Sequence, residues 1–208
     1  MGTSSNTGTC ELCGHRGPKS EMARHLEECA SSHDRKGPDQ TLIILRFEAA
    51  GNPRYWIHAE ARADATLRQV DSFLRHLWLE CCGHMSAFYV AKAEPGMSST
   101  VGATFRSRGL KFRYEYDFGS TTVLNGQVLG SRRGSIGRSS VRLLARNDPL
   151  VWSCAECKAA ATTVCPFCID SDACLFCQTH AGAHEHADEE VYLPVVNSPR
   201  MGVCGYTG

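Results

Sequence analysis

Lys111-Phe112-Arg113-Tyr114-Glu115-Tyr116-Asp117-Phe118 alternates charged and aromatic side chains without interruption. A period of two belongs to a strand with one face buried, so the run predicts a strand whose aromatic residues line a core. Asp117 falls on the charged face, where solvent is the default surrounding. On its amino-terminal side, residues 42–47 read as a buried strand, 51–53 as a turn and 55–61 as a second strand, with His58 a structural histidine. Thr66-x-x-Gln69 is a capping box. Leu67, Val70, Leu74, Leu77, Trp78 and Cys81 then recur at three- and four-residue steps, which predicts a helix with Cys81 and Cys82 at its end. Residues 85–91 and 123–124 read as strands and Asn125-Gly126 as a tight turn. Residues 130–140 read as a solvated, arginine-bearing hairpin loop, and 141–145 as the closing strand. The expected class is α+β: a mainly antiparallel sheet with one principal helix, flanked by two small zinc-built modules.

The cysteines define those modules. Eight of the twelve form four Cys-x-x-Cys pairs. Two intervening residues bring both thiolates onto one turn, where they can share a tetrahedral zinc. The loop between them is too small for a disulfide to staple a fold. The pattern is that of a zinc protein in a reducing compartment.

Near the start, Cys10-x2-Cys13-x11-His25-x3-Cys29 is a four-ligand set. Ser20 can cap a helix reaching about Ala30, which puts His25 and Cys29 on one face and Met22 and Leu26 beneath the metal. The segment resembles a Cys-Cys-His-Cys zinc finger, with His33 as the replacement ligand. Its exposed helix residues Lys19, Arg24, Glu27 and Glu28 are mixed in sign, which argues against a helix dedicated to reading DNA.

Toward the end, Cys154/Cys157, Cys165/Cys168, Cys174/Cys177 and His184/His186 offer eight ligands in four pairs. A cross-brace assigns Cys154, Cys157, Cys174 and Cys177 to one ion, and Cys165, Cys168, His184 and His186 to the other. The rival is a ribbon, with Cys154/Cys157 and Cys165/Cys168 on a single ion. The spacing is similar to that of B-box zinc fingers, except that one residue separates the final histidines, so His180 is the substitute for one of them. Closed four-ligand shells leave no position for water, so all three expected zinc ions are structural. Cys204 reads as a buried thiol or a replacement ligand, and the apolar tail as packing on the protein or on a partner.

The middle carries a further resemblance. Tyr114-Glu115-Tyr116-Asp117-Phe118-Gly119-Ser120, with Thr66-Leu67, the helix to Trp78 and His84-x-x-x-Phe88, is similar to the plasmid pRiA4b open-reading-frame-three-like family of insertion-element passenger proteins. It covers roughly residues 40–146, about half of the chain. Ser120 stands where that family often carries a second acid. The resemblance implies an α+β fold and an association with mobile elements rather than a defined activity. The domains expected are therefore 1–36, the finger; 37–148, the pRiA4b-like α+β domain; 149–190, the cross-braced two-zinc module; and 191–208, the tail.

Charge and composition bound the function. Net charge is zero, but residues 106–146 carry nine Arg and Lys against Glu115 and Asp117, while 147–208 are acidic. A basic segment beside an acidic one suggests a polyanion-binding face, or mutual neutralisation within one fold. The longest aliphatic run, residues 42–45, is far too short to span a membrane, and no secretory signal opens the sequence. A cytoplasmic protein is expected.

The leading reading is a non-enzymatic zinc-binding adaptor with a protein partner or ribonucleoprotein contacts. One alternative is nucleic-acid binding through Arg106, Arg108, Arg113, Arg132, Arg133 and Arg138. Another is an accessory enzyme of a mobile element, with His84 and Asp117 as unassigned candidates. A deaminase pattern is rejected, because His58-Ala59-Glu60 lies about a hundred residues from Cys165 and the proline follows that cysteine rather than preceding it. Adjacent Cys81 and Cys82 read as buried or inert thiols.

Overall fold

The aromatic alternation does form a strand, but it stops one residue short of Asp117. The computed structural model describes residues 6–169, 174–187 and 191–208. Asp188, Glu189 and Glu190, assigned to the two-zinc module, and the first five residues of the finger segment lie outside these. In the first of two compact units, residues 1–76 and 85–148, one antiparallel sheet is built from eight strands. They are β1 (Thr7–Cys10), β2 (Arg16–Pro18), β3 (Gln40–Ala49), β4 (Trp56–Arg62), β5 (Ser86–Val90), β6 (Lys111–Tyr116), β7 (Thr122–Gly134) and β8 (Val141–Asn147). Their order is β2-β1-β8-β4-β3-β7-β6-β5.

Phe112, Tyr114 and Tyr116 of β6 are buried as the alternation requires. Phe88 and Phe105 pack with them, Phe105 stacked on Phe112 at 4.2 Å between ring centroids and Phe88 tilted against Tyr114 at 4.8 Å. Asp117 is left-handed, with φ of 65°, and its carboxylate accepts a hydrogen bond from the Gly119 N–H at 3.0 Å. A short carboxylate that bonds the backbone two residues on tolerates this conformation, so Asp117 ends the strand instead of facing solvent. Phe118 consequently points outward.

The expected principal helix is not there. α2 (Leu67–Leu74) runs for eight residues and gives way to a π-helical turn, Arg75–Leu79. The longest of the four α-helices among the described residues is α1 (Lys19–Ser32), in the amino-terminal segment, whereas α3 (Val101–Thr104) is a single turn. The class is thus a mostly antiparallel β protein with short helices, not an α+β domain organised on one helix. The periodicity misleads for a physical reason. At the switch the Arg75 N–H is shared between the carbonyls of Asp71 and Ser72. The wider turn then lets two successive residues, Trp78 and Leu79, both be buried, so an apolar pattern continues while the α-helix does not. Asp71 holds the switch, accepting from Arg75 at 2.9 Å, Ser86 Oγ at 2.6 Å and Tyr114 OH at 2.7 Å.

Asn125-Gly126 is not a turn either. β7 passes straight through it, pairing Gly126 with Phe47 of β3 and Phe112 of β6. The Phe112 ring lies where a Cβ on Gly126 would be, so the glycine makes room for an aromatic side chain in mid-strand. The arginine-bearing stretch is also ordered strand rather than loop as far as Gly134, and Ile136 beyond it is fully buried.

The amino-terminal segment shares its core with the sheet. β1 pairs with both β2 and β8, and Met22, Leu26 and Ala30 of α1 pack with Trp56, Leu144 and Ala145. This apolar burial adds to whatever a metal contributes, and it places the expected finger inside the first unit rather than in a module of its own. Glu60, fully buried in β4, ties the two together. It holds Arg132, at 2.8 Å, and Arg142, whose other nitrogens donate to the His33 carbonyl at 2.6 Å and the Ala30 carbonyl at 3.5 Å. α1 has no basic residue in its own last turn, so a strand arginine supplies the cation for its carbonyl end.

The second unit comprises residues 77–84 and 149–208. A three-stranded sheet, β10-β9-β11, is made of β9 (Thr163–Val164), β10 (Leu175–Phe176) and β11 (Leu193–Pro194). A one-turn helix, α4 (Gln178–Ala181), follows β10. The tail packs into this unit: Ser198, Arg200 and Tyr206 are buried, and the Ser198 hydroxyl donates to the Trp78 carbonyl at 2.6 Å. No helix among the described residues is long and apolar enough to cross a membrane.

Candidate metal centres

In the first unit β1 delivers Cys10, the turn after it Cys13, and one face of α1 both His25 and Cys29. Their ligand atoms all lie within 4.8 Å of one another. Cys10 Sγ is 3.8 Å from Cys29 Sγ, and Cys13 Sγ is 3.3 Å from His25 Nε2. Two sulfurs bound to one tetrahedral ion stand about 3.8 Å apart, a sulfur and a nitrogen about 3.6 Å, and two nitrogens about 3.3 Å, from the usual bond lengths. These two separations are close to those values, and soft thiolate with imidazole is a donor set that such an ion accepts. His33 is not part of the set; its Nδ1–H caps α1 by donating to the Cys29 carbonyl at 2.8 Å. His15 stacks on His25 at 4.3 Å and fixes the ring.

The Cys29 thiol resists ionisation without a cation. Burial pushes Cys29 up to about 12, with the neighbouring Cys13 and Cys10 adding to it. The His15 backbone N–H, by contrast, holds Cys13 below its ordinary value against a smaller effect of burial. A dication at the centre removes the repulsion among the thiolates.

The second unit holds two interleaved sets. Cys154 and Cys157 meet Cys177 and His180, while Cys165 and Cys168 meet His184 and His186. The first pair thus joins the third in space and the second joins the fourth, which is the cross-braced and not the ribbon arrangement. The Cys157–Cys177 sulfurs are 3.9 Å apart, His180 Nδ1 is 3.3 Å from Cys177 Sγ, and the His184 and His186 nitrogens are 3.3 Å apart. Cys174, expected in the first of these sets, is replaced there by His180. Cys174 and Cys177 flank the two-residue β10, and an odd step across a strand sends side chains to opposite faces. The Cys174 carbonyl accepts from the Cys165 N–H at 2.8 Å, and α4 brings His180 back to Cys177 instead.

Burial works against the Cys154 thiolate, but backbone N–H groups of Cys177, Cys157 and Glu156 hold the thiol down to about 6. Phe176 packs against His184 at 4.3 Å and Phe167 near His186 at 5.1 Å, which orients both imidazoles. The apolar cluster around these sets consists largely of candidate ligands: Cys154 and Cys165 with Phe176 and Ala181, and Cys157, Cys168 and Cys177 against them.

The arginines proposed for nucleic acid are mostly engaged. Arg132 is only 11% exposed and serves Glu60 and Asp34. Arg133 pairs with Asp39, Arg113 with Glu115, and Arg108 with Glu27, while Arg106 donates to the Ala103 carbonyl. Arg138 is exposed in the turn before β8. Four of these six arginines thus pair with an acid of the first unit, although basic residues still outnumber acidic ones there.

The enzyme candidates do not assemble. Asp117 is a turn residue, and His84 lies in the second unit beside Cys81, Cys82 and Cys204, a grouping that no local spacing announces. His58 is fully buried in β4, and neither ring nitrogen has a hydrogen-bond partner among the described residues. Burial, with Arg46 and Lys19 nearby, holds it down to about 3. The folded protein keeps His58 neutral far below 6.5, where the unfolded chain takes up a proton. Its contribution is therefore complete above that pH and lost as pH falls toward 3. As pH falls between these limits, the stability of His58→Leu relative to the parent should rise by up to about 1.4 kcal/mol for each pH unit. Parallel denaturant curves for the two proteins at pH 6 and pH 4.5 would contradict this.

No family model matches the chain, and no curated protein matches it. Among solved structures the chain is similar to a protein of unknown function from Methanosarcina mazei, at 12% identity and a TM-score of 0.45, over 54% of this chain and 72% of that one.

Proposed function

We propose that this chain is a non-enzymatic zinc-binding adaptor whose ions are structural and whose contacts are with protein. Zinc is the metal favoured by Cys3His and Cys2His2 donor sets in tetrahedral array. Each set is closed, so a bound ion has no open position at which to activate water or substrate. The pRiA4b-like reading of residues 40–146 stands beside this as a proposal of kinship and adds no activity.

The observation that carries the protein partner is Phe167. It sits between the ligands Cys165 and Cys168, on a short turn from Pro166 to Cys168, and is 61% exposed. A turn rigidified by metal that holds an aromatic ring in water is suited to an apolar pocket on another protein, because little conformational freedom is left to lose on binding. The engagement of most basic-segment arginines by acids argues against the nucleic-acid alternative.

The test is a pull-down from native extract, with and without nuclease, using the parent protein and Phe167→Ser at matched metal content. Retained proteins that survive nuclease and are lost with Phe167→Ser support the reading. Retention of nucleic acid with a steep salt dependence, weakened by Arg133→Ala with Arg138→Ala, would replace it with the alternative.

A further inference from the structure

Three thiols and an imidazole converge in the second unit at a place where the sequence shows only an adjacent cysteine pair and a distant single one. Cys81 and Cys82 end the stretch that follows the π-helical turn, and His84 comes after Gly83, whose φ of 72° makes a tight corner. Cys204 arrives from the tail. All four ligand atoms lie within 4.8 Å of one another. Cys82 Sγ is 3.7 Å from Cys204 Sγ, and His84 Nε2 is 3.2 Å from Cys204 Sγ. These separations are close to tetrahedron edges of about 3.8 Å for two sulfurs and about 3.6 Å for sulfur and nitrogen. They also match the spacing within the three sets described above.

We infer that Cys81, Cys82, His84 and Cys204 bind a fourth metal ion of the zinc type, which closes the discontinuous second unit by fastening the carboxy-terminal tail to residues 81–84.

Two further observations support this site. Cys204 is one of only three non-glycine residues among those described with positive φ, at 51°, a conformation that costs free energy unless something holds it. In addition, the fully buried Arg200 donates from its guanidinium toward Cys81 Sγ at 3.7 Å. Three thiolates outweigh a dication by one charge, and a buried arginine beside one of them restores neutrality. Arg200 is itself placed by its backbone N–H, which donates to Ser198 Oγ at 2.9 Å, in the same tail that brings Cys204.

The rival chemistry is a Cys82–Cys204 disulfide, which would draw the sulfurs to about 2.05 Å and leave His84 and Cys81 without a shared role. Native mass spectrometry of the zinc-loaded full chain, prepared under reducing conditions, separates the two. Four ions are expected in the parent and three in Cys204→Ser. Cys82 and Cys204 are exposed, so an alkylating reagent should label both at once unless an ion protects them. Protection in the loaded parent, lost on chelation, is the expected result, and it decides the question even if Cys204→Ser does not fold. Three ions in the parent with immediate labelling, four ions retained in Cys204→Ser, or an intact mass lowered by about two daltons would overturn the inference. A parent with three ions would leave the proposed adaptor intact while removing this fourth site.

Discussion

Replacing Cys165 with serine should unfold the second unit while leaving the first one folded. Cys165 is fully buried, shares its candidate ion with Cys168, His184 and His186, and is part of an apolar cluster that is largely candidate cysteine ligands. Besides these cysteines, the strands around this ion bury only small apolar contributions from Val164, Phe176 and Ala181, so their folding depends on coordination, on the order of 10–16 kcal/mol per ion in isolated finger peptides. Serine is a poor zinc ligand and removes that term for one site. Because the two sets interleave, losing one ion also frees the strands that position the other. Hydrogen exchange read by mass spectrometry should show β9 and β10 losing protection while β3, β4 and β7 keep theirs. Unchanged protection in β9 and β10 would mean that packing alone sustains the unit, and the metal-built reading would fail.

Glu60→Leu is expected to cost the first unit about 3–5 kcal/mol, the typical penalty for removing one partner of a buried ion pair. The carboxylate is fully buried and serves two guanidinium groups. Without it Arg132 keeps Asp34, but Arg142 is left with only backbone carbonyls. A second substitution, Arg142→Met, should recover much of the loss, because an apolar pair can replace a buried salt bridge when both charges leave together. Urea unfolding at saturating metal measures both proteins. A Glu60→Leu cost below about 1 kcal/mol, in the range of an exposed pair, would show that the network does not anchor α1 to the sheet.

How much could be read without coordinates differs from residue to residue. The alternation at 111–116 and the aliphatic run in β3 have the period of a strand, and both are strands. Asp117 was misplaced because a period says nothing about a left-handed φ. Gly126 read as a turn because asparagine–glycine is a turn dipeptide, and only Phe112 against its Cα explains a glycine in mid-strand. The long helix failed because a π-helical turn preserves the burial pattern while changing the hydrogen bonding.

The same division applies to the metal sites. The pairs of candidate ligands that lie within one turn of chain were legible in the sequence: Cys10 with Cys13, Cys154 with Cys157, Cys165 with Cys168, and His25 with Cys29 on a helix face. A spacing of two or three residues fixes distance through covalent geometry, whatever the rest of the chain does. It took the folded chain to show that His180 rather than Cys174 joins the candidate set of Cys154, Cys157 and Cys177, that the amino-terminal segment shares its core with the sheet, and that Cys204 returns to Cys81, Cys82 and His84. Those meetings depend on which way a strand turns its side chains and on where the chain comes back after more than a hundred residues, and no local repeat encodes either.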